Sequence, residues 1–225
     1  MKRRVLSAFL CTVLAVSMLA GCGSTSGGDS ESDMEYVKDK GTLIVGITNF
    51  EPMDYQDENG EWIGFDADMA RAFGESLGVD VEFVEIDWDN KIMELDSNTI
   101  DCVWNGMTLT EDVTSAMECT DAYLQNAQVV VVPGDVADQY QDEESLADLT
   151  FAVEAGSAGE DEVEARDLAF NSVTAQADAL MEVEAGTSDA AEWTAPREHR
   201  FPAESENPRF QRRNLPELPS WQGRY

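Results

Sequence analysis

Residues 64–77, GFDADMARAFGESL, constrain the fold more than any other stretch of this chain. A glycine closes an extended segment and an amphipathic helix follows at once. Asp66 can accept from the free amides of the first turn, and Asp68 adds negative charge near the positive helix end. Phe65, Met69, Phe73 and Leu77 recur at near-helical spacing and form the expected apolar stripe. Gly78 is placed to stop the helix.

On either side the hydrophobic period changes. Residues 42–48 and 81–86 read as strands, and residues 53–63 as a turn-rich ribbon whose Asn59-Gly60 pair suits a tight hairpin. Further strands are expected at 101–104, 128–132 and 150–154, with helices at 90–95, after Gly156-Ser157, and over 177–185. Strands alternating with helices imply a mainly parallel sheet that meets ligands at the carboxyl ends of its strands. The acidic run Asp54, Asp57, Glu58, Asn59, Gly60 lacks the alternate ligands and closing Glu of a calcium loop, so it is read as a hairpin tip in water.

Forty-six acidic residues against fourteen basic ones give a formal net charge of -32. Such a charge argues against nucleic acid and against direct docking on anionic lipid, and a solvated acidic exterior explains it more simply than cation selection. His199 is the only histidine, and neither GxSxG, a phosphate-binding loop nor a Cys/His cluster with ligand spacing is present. No catalytic residue, metal or cofactor is therefore expected.

Lys2, Arg3 and Arg4 precede an apolar run over residues 5–19, which closes with Leu19-Ala20-Gly21-Cys22. The run is short for a membrane span, and the small residues before Cys22 fit a lipoprotein signal peptide over residues 1–21. Lipid attachment at Cys22 would anchor the exported protein to the outer side of the cell membrane, because each buried methylene contributes about 0.8 kcal/mol. Residues 22–33, rich in Ser, Gly and acids, are the expected flexible tether. Cys102 and Cys119 are left in the mature domain, either bridged or as separate buried thiols.

After residue 191 the composition changes. Residues 192–225 hold six arginines, five of the seven prolines and no lysine, with almost no aliphatic side chains. Such a segment buries too little apolar surface to offset its ordering entropy, so it is expected to be an aberrant, disordered tail, the product of a frameshift or truncation.

Together with the helix motif, the segments NFEPMDYQDENGEWIGFD and WNGMTLTEDVTSAMECTDAY resemble lobe one of the extracytoplasmic solute-binding proteins of the polar amino-acid class. The resemblance covers about residues 41–191. It implies an α/β, bilobal, type II periplasmic-binding-protein-like fold, with lobe one nearly complete over 34–124 and lobe two incomplete over 125–191. It further implies a monomeric receptor that captures an amino acid or similar small polar solute and delivers it to an ABC permease, with function impaired where lobe two is cut short. An exported sensory module and a dehydratase-like enzyme on the same scaffold are the competing readings.

The resemblance also places the site. Phe50 aligns with the aromatic that lies over the ligand, and Trp104, Asn105, Gly106 and Thr108 match the segment that contacts its head group. Gly156, Ser157 and Ala158 match the contacting turn of lobe two. Val113 stands where the family carries the arginine that grips a carboxylate, and Thr194 where it carries the acid that holds an ammonium. Donors from Asn105 and Thr108 are expected to compensate at the first position.

Overall fold

The computed structural model describes residues 32–196 and the backbone of residues 210–213. The expected signal peptide, Cys22, nearly all of the tether, and most of the tail lie outside the described residues. The chain divides into two units, residues 1–39 and 40–225. In the first, Asp33–Lys40 begins as a helix, α1, which runs one residue past the boundary.

Thr42–Ile47 (β1) is the centre of a three-stranded parallel sheet, between Asp80–Glu85 (β4) and Cys102–Val103 (β5). Leu43, Val45 and Ile47 are buried, and the start of the strand is pinned from the side. Lys40 pairs with Asp101 at 2.6 Å, and the same carboxylate accepts from the Ile44 amide at 2.7 Å. The ribbon after β1 is the expected hairpin, Tyr55–Gln56 (β2) against Trp62–Ile63 (β3). Its tip is organised by Asp57, which accepts from the amides of Asn59 and Glu61, so this carboxylate is occupied within the turn.

Phe65–Leu77 forms α2, and it differs from the sequence expectation in two ways. The cap is Gly64, not Asp66, and no side chain caps the end. Gly64 has φ 126°, and a Cβ there would collide with the Met53 carbonyl, so the chain can enter the helix only through glycine. The buried face is also not the one carrying the large side chains. Ala67, Ala70 and Gly74 are buried, whereas Phe73 is 39% exposed. Small residues win because the helix lies close to the sheet: a Cβ at Gly74 would strike the Val81 side chain. At the other end Gly78, at φ 76°, closes the helix as anticipated.

The second sheet has five strands in the order Phe210–Arg213 (β10), Asn126–Pro133 (β6), Ala190–Pro196 (β9), Thr150–Glu154 (β7) and Ala169–Val173 (β8). Asn126–Pro133 (β6) is buried along nearly its whole length, as a strand covered on both faces must be. Its side chains alternate between two cores. Val130 and Val132 join Phe151 and Val153 of Thr150–Glu154 (β7), with Leu146 and Val163. Val129 and Val131 face the other way, toward Ala179 and Val183 of Gln176–Ala185, a helix closed by Gly186. Ala169–Val173 (β8) pairs in parallel with β7 at the sheet edge.

Ala190–Pro196 (β9) lies between β6 and β7, and it corrects the expected boundary at residue 191. Glu192, Trp193, Thr194, Ala195 and Pro196 continue a strand that pairs with β6 from Ala191 to Pro196. Tertiary position overrides composition here, because β6 pairs the backbone from Ala191 to Pro196 and Glu192, Thr194 and Ala195 are buried. Glu192 is 2% exposed and packs against Gly159, where a Cβ would collide with its carboxyl group. The backbone of Phe210–Arg213 (β10) adds an antiparallel edge on β6. Cys102 and Cys119 are both free thiols.

Candidate functional site

Three segments that leave the carboxyl ends of parallel strands converge on one cleft, the place where open α/β sheets meet ligands. The first follows β4: a 3-10 turn, Trp88–Asn90, runs straight into the helix Lys91–Asp96 (α3). The second follows β5 and carries Met107, Thr108 and Thr110 into the helix Glu111–Ala116 (α4), which Thr110 caps by accepting from the Val113 amide at 3.2 Å. The third follows β7 at Gly156 and enters the helix Ala158–Ala165 (α5), capped by Ser157. Gly156 has φ 68°, and a Cβ there would lie 2.8 Å from Asp89 Cα, so glycine is required where this turn meets the first segment.

The cleft between them measures about 130 Å³. Trp88, Lys91 and Ile92 line it from the first segment, and Met107, Thr108, Thr110, Asp112 and Val113 from the second. Gly156, Ala158 and Asp161 complete it. One ammonium and two carboxylates thus face a small space with both apolar and polar walls.

Lys91 is nine-tenths buried. Its Nζ donates to the carbonyls of Gly156 at 2.8 Å and Trp88 at 3.2 Å, and it sits 4.9 Å above the Trp88 ring. Burial lowers its pKa, while Asp89, Glu154, Asp161 and Glu160 act in the opposite direction. Asp161 is shifted up, first by burial and then by Asp112 and Glu160. Behind the cleft, burial pushes the Glu154 carboxyl up to about 7, although it accepts from the Gln176 amide at 3.2 Å.

Thr108 anchors a buried polar chain. Its Oγ1 accepts from Asn126 Nδ2 at 2.7 Å and from Gln128 Nε2 at 3.3 Å. Gln128 Oε1 in turn accepts from Thr194 Oγ1 at 2.8 Å, and the Thr194 amide donates to Gln176 Oε1 at 2.9 Å. Thr194 is therefore occupied by the network between β6, β9 and the helix Gln176–Ala185.

Of the residues expected to bind a ligand, Thr108 and Ala158 line the cleft, as does Val113. The others are engaged elsewhere. Phe50 is buried edge-on against Trp193, with ring centroids 6.1 Å apart, and its backbone bridges to Asp54. Trp104 turns its ring onto Phe73 of α2 at 5.8 Å, because the loop leaves β5 beside that helix. Asn105 uses both ends of its amide on Thr48, accepting from the amide at 2.9 Å and donating to the hydroxyl at 2.7 Å. Gly106 adopts φ 60°, with its amide directed toward Asp66. Ser157 spends its hydroxyl on the Glu160 amide at 3.1 Å. These positions hold the loops in place.

Lys91, Asp112 and Asp161 are the charged groups that sequence reasoning missed. A signal was available: Lys91 is the single lysine between residues 41 and 225, at the start of an expected helix just after a strand, in a chain of net charge -32.

A second group of acids lies beneath the hairpin. Asp54 and Asp66 are fully buried, and neither Asp54 oxygen nor Asp66 Oδ2 reaches a hydrogen-bond partner. Tyr123 donates to Asp66 Oδ1 at 2.8 Å. Burial pushes Asp54 up to about 8, with the Asp66 charge adding to it, and Asp66 up to about 6. Among the described residues, no group of three His, Cys, Asp or Glu side chains is arranged to hold a metal ion.

Residues 43–210 match the family described as bacterial extracellular solute-binding proteins, family 3. The L-cystine-binding protein TcyJ of Escherichia coli (strain K12) is 31% identical over 127 residues, which cover 56% of this chain and 47% of that protein. The arginine-binding extracellular protein ArtP of Bacillus subtilis (strain 168) is 31% identical over 147 residues, 64% of this chain and 52% of that one. The chain thus spans about half the length of the curated relatives it matches. Among solved structures, the arginine-bound form of truncated ArgBP from T. maritima superposes with a TM-score of 0.76 at 30% identity. That match covers 85% of this chain and 89% of the other.

Proposed function

Because the chain belongs to the bacterial extracellular solute-binding proteins, family 3, we propose that its cleft captures an amino acid outside the cytoplasm for delivery to an ABC permease. The chain has the mixed α/β, type II periplasmic-binding-protein fold of its structural neighbours. The observation that carries the reading is the pairing of opposite charges in one small cleft, Lys91 on one wall with Asp112 and Asp161 on the others. An α-amino acid is a zwitterion with a side chain, and it needs a cation, an anion and a shaped wall in that order of proximity. The same walls offer no nucleophile with an adjacent base, which favours binding over catalysis. The cystine- and arginine-binding names of the relatives support this class of solute.

Titration calorimetry of the folded chain against the twenty common amino acids and cystine tests the reading. Saturable binding of at least one amino acid is expected, and a folded protein that binds none of them would refute it. Export and anchoring through Cys22 belong to the same proposal. Labelling of the expressed protein with a fatty-acid analogue should occur, and Cys22→Ser should abolish it.

A further inference from the structure

We propose that Lys91 supplies the cation that receives the carboxylate of the captured solute, beside the Thr108 hydroxyl that the family resemblance already assigns to the head group, an inference that rests on the amino-acid reading of the cleft. Among the described residues lining the cleft, Lys91 is the single cation, and Val113 beside it offers no side-chain donor. The ammonium has three N–H groups and spends two on the carbonyls of Trp88 and Gly156. Carbonyls accept hydrogen bonds but do not neutralise charge. Asp89, Glu154, Glu160 and Asp161 surround it, yet among the described residues none forms an ion pair with Nζ.

A buried ammonium without a contact anion is costly, and a ligand carboxylate on its third N–H removes that cost at the moment of binding. The two carbonyls and the Trp88 ring meanwhile hold the amine in one place, so little side-chain entropy is left to lose.

Thr108 supplies the second donor by elimination. A hydroxyl has one proton and two lone pairs, and here both lone pairs face amide donors, Asn126 Nδ2 and Gln128 Nε2. Only the O–H is left for a partner, and that partner must be an acceptor. Asp112 and Asp161 on the facing walls disfavour a second anion but suit the ammonium of the same solute.

The test uses calorimetry on the full chain with the amino acid that binds best and with the amine that lacks its carboxyl group. Wild type should prefer the amino acid by roughly 100-fold or more. Lys91→Met should weaken the amino acid by a similar factor and leave the amine little changed. Val113→Arg in the Lys91→Met background should restore much of the loss, because it returns a cation to the same cleft. Should Lys91→Met fail to fold, selective 15N labelling of the lysines in wild type reads Nζ directly. The Lys91 signal should shift on adding the amino acid and not the amine. Amino-acid affinity unchanged in a folded Lys91→Met, or an unshifted Lys91 signal at saturation, overturns the role of Lys91 while leaving the cleft reading intact. Failure of wild type to bind any amino acid overturns both.

Discussion

Asp54→Asn should change how stability depends on pH. Asp54 is completely buried under the hairpin, beside Asp66 and the Ala67 amide and within the fields of Tyr123 and Arg71. Its carboxyl titrates near 3.8 when exposed and about 8 when folded. The folded state therefore binds a proton that the unfolded chain releases between those values. The sign follows directly: the contribution is fully present below about pH 4 and is lost as pH rises through about 8. At about 1.4 kcal/mol per pH unit, this one group withdraws on the order of 5 kcal/mol across the interval, comparable to the whole stability of many domains. Asparagine keeps the shape but cannot ionise, and its unpaired amide costs about 1 to 3 kcal/mol at every pH. Urea unfolding at pH 4, 7 and 9 should show the variant less stable at pH 4 but more stable at pH 7 and 9, with a shallower decline, so that the two curves cross between about pH 4.5 and 6. Parallel curves would refute the claim that Asp54 is held protonated by burial.

Other positions separate backbone, packing and thiol effects. Gly64→Ala should lower the melting temperature well beyond Gly78→Ala, because only the first adds a collision, with the Met53 carbonyl, to an unfavourable φ; the second has open space and should cost about 1 kcal/mol. Equal losses would contradict this. Phe151→Ala, at a fully buried ring between the strands and helices of the second sheet, should cost about 3 to 5 kcal/mol in denaturant titration. Ser157→Ala removes the cap of α5 and should cost about 0.5 to 2 kcal/mol. Iodoacetamide should label Cys119 well before Cys102, since burial pushes the Cys102 thiol up to about 12, and mass spectrometry of the peptides would show the order.

The parts of the fold that were legible in the sequence are those written in local periodicity. Residues 42–48, 81–86 and 150–154 became β1, β4 and β7 with ends moved by at most one residue, and Gly78 and Asn59-Gly60 act as the turn signals they resemble. The apolar stripe of α2 was misread because burial there is set by distance to the sheet, and that distance admits Ala67, Ala70 and Gly74 but not Phe73. The tail boundary was misread for a related reason. Glu192, Ala195 and Pro196 are poor strand residues by composition, yet β9 pairs with β6 through all three and buries Glu192 and Ala195.

At the candidate site the alternation of strands and helices, with the family resemblance, pointed to loops at the carboxyl ends of the strands. Thr108, Ala158 and Val113, which the family resemblance singled out, line the cleft. Which side chains turn inward was decided only in three dimensions. Trp104 packs its ring on Phe73, Asn105 hydrogen-bonds to Thr48 and Ser157 accepts from the Glu160 amide, and none of the three lines the cleft. Lys91 and Asp161 are 70 residues apart in the chain, and neither forms a motif with the other. They face one space because β4 and β7 end toward it, a relation set by how the two sheets pack.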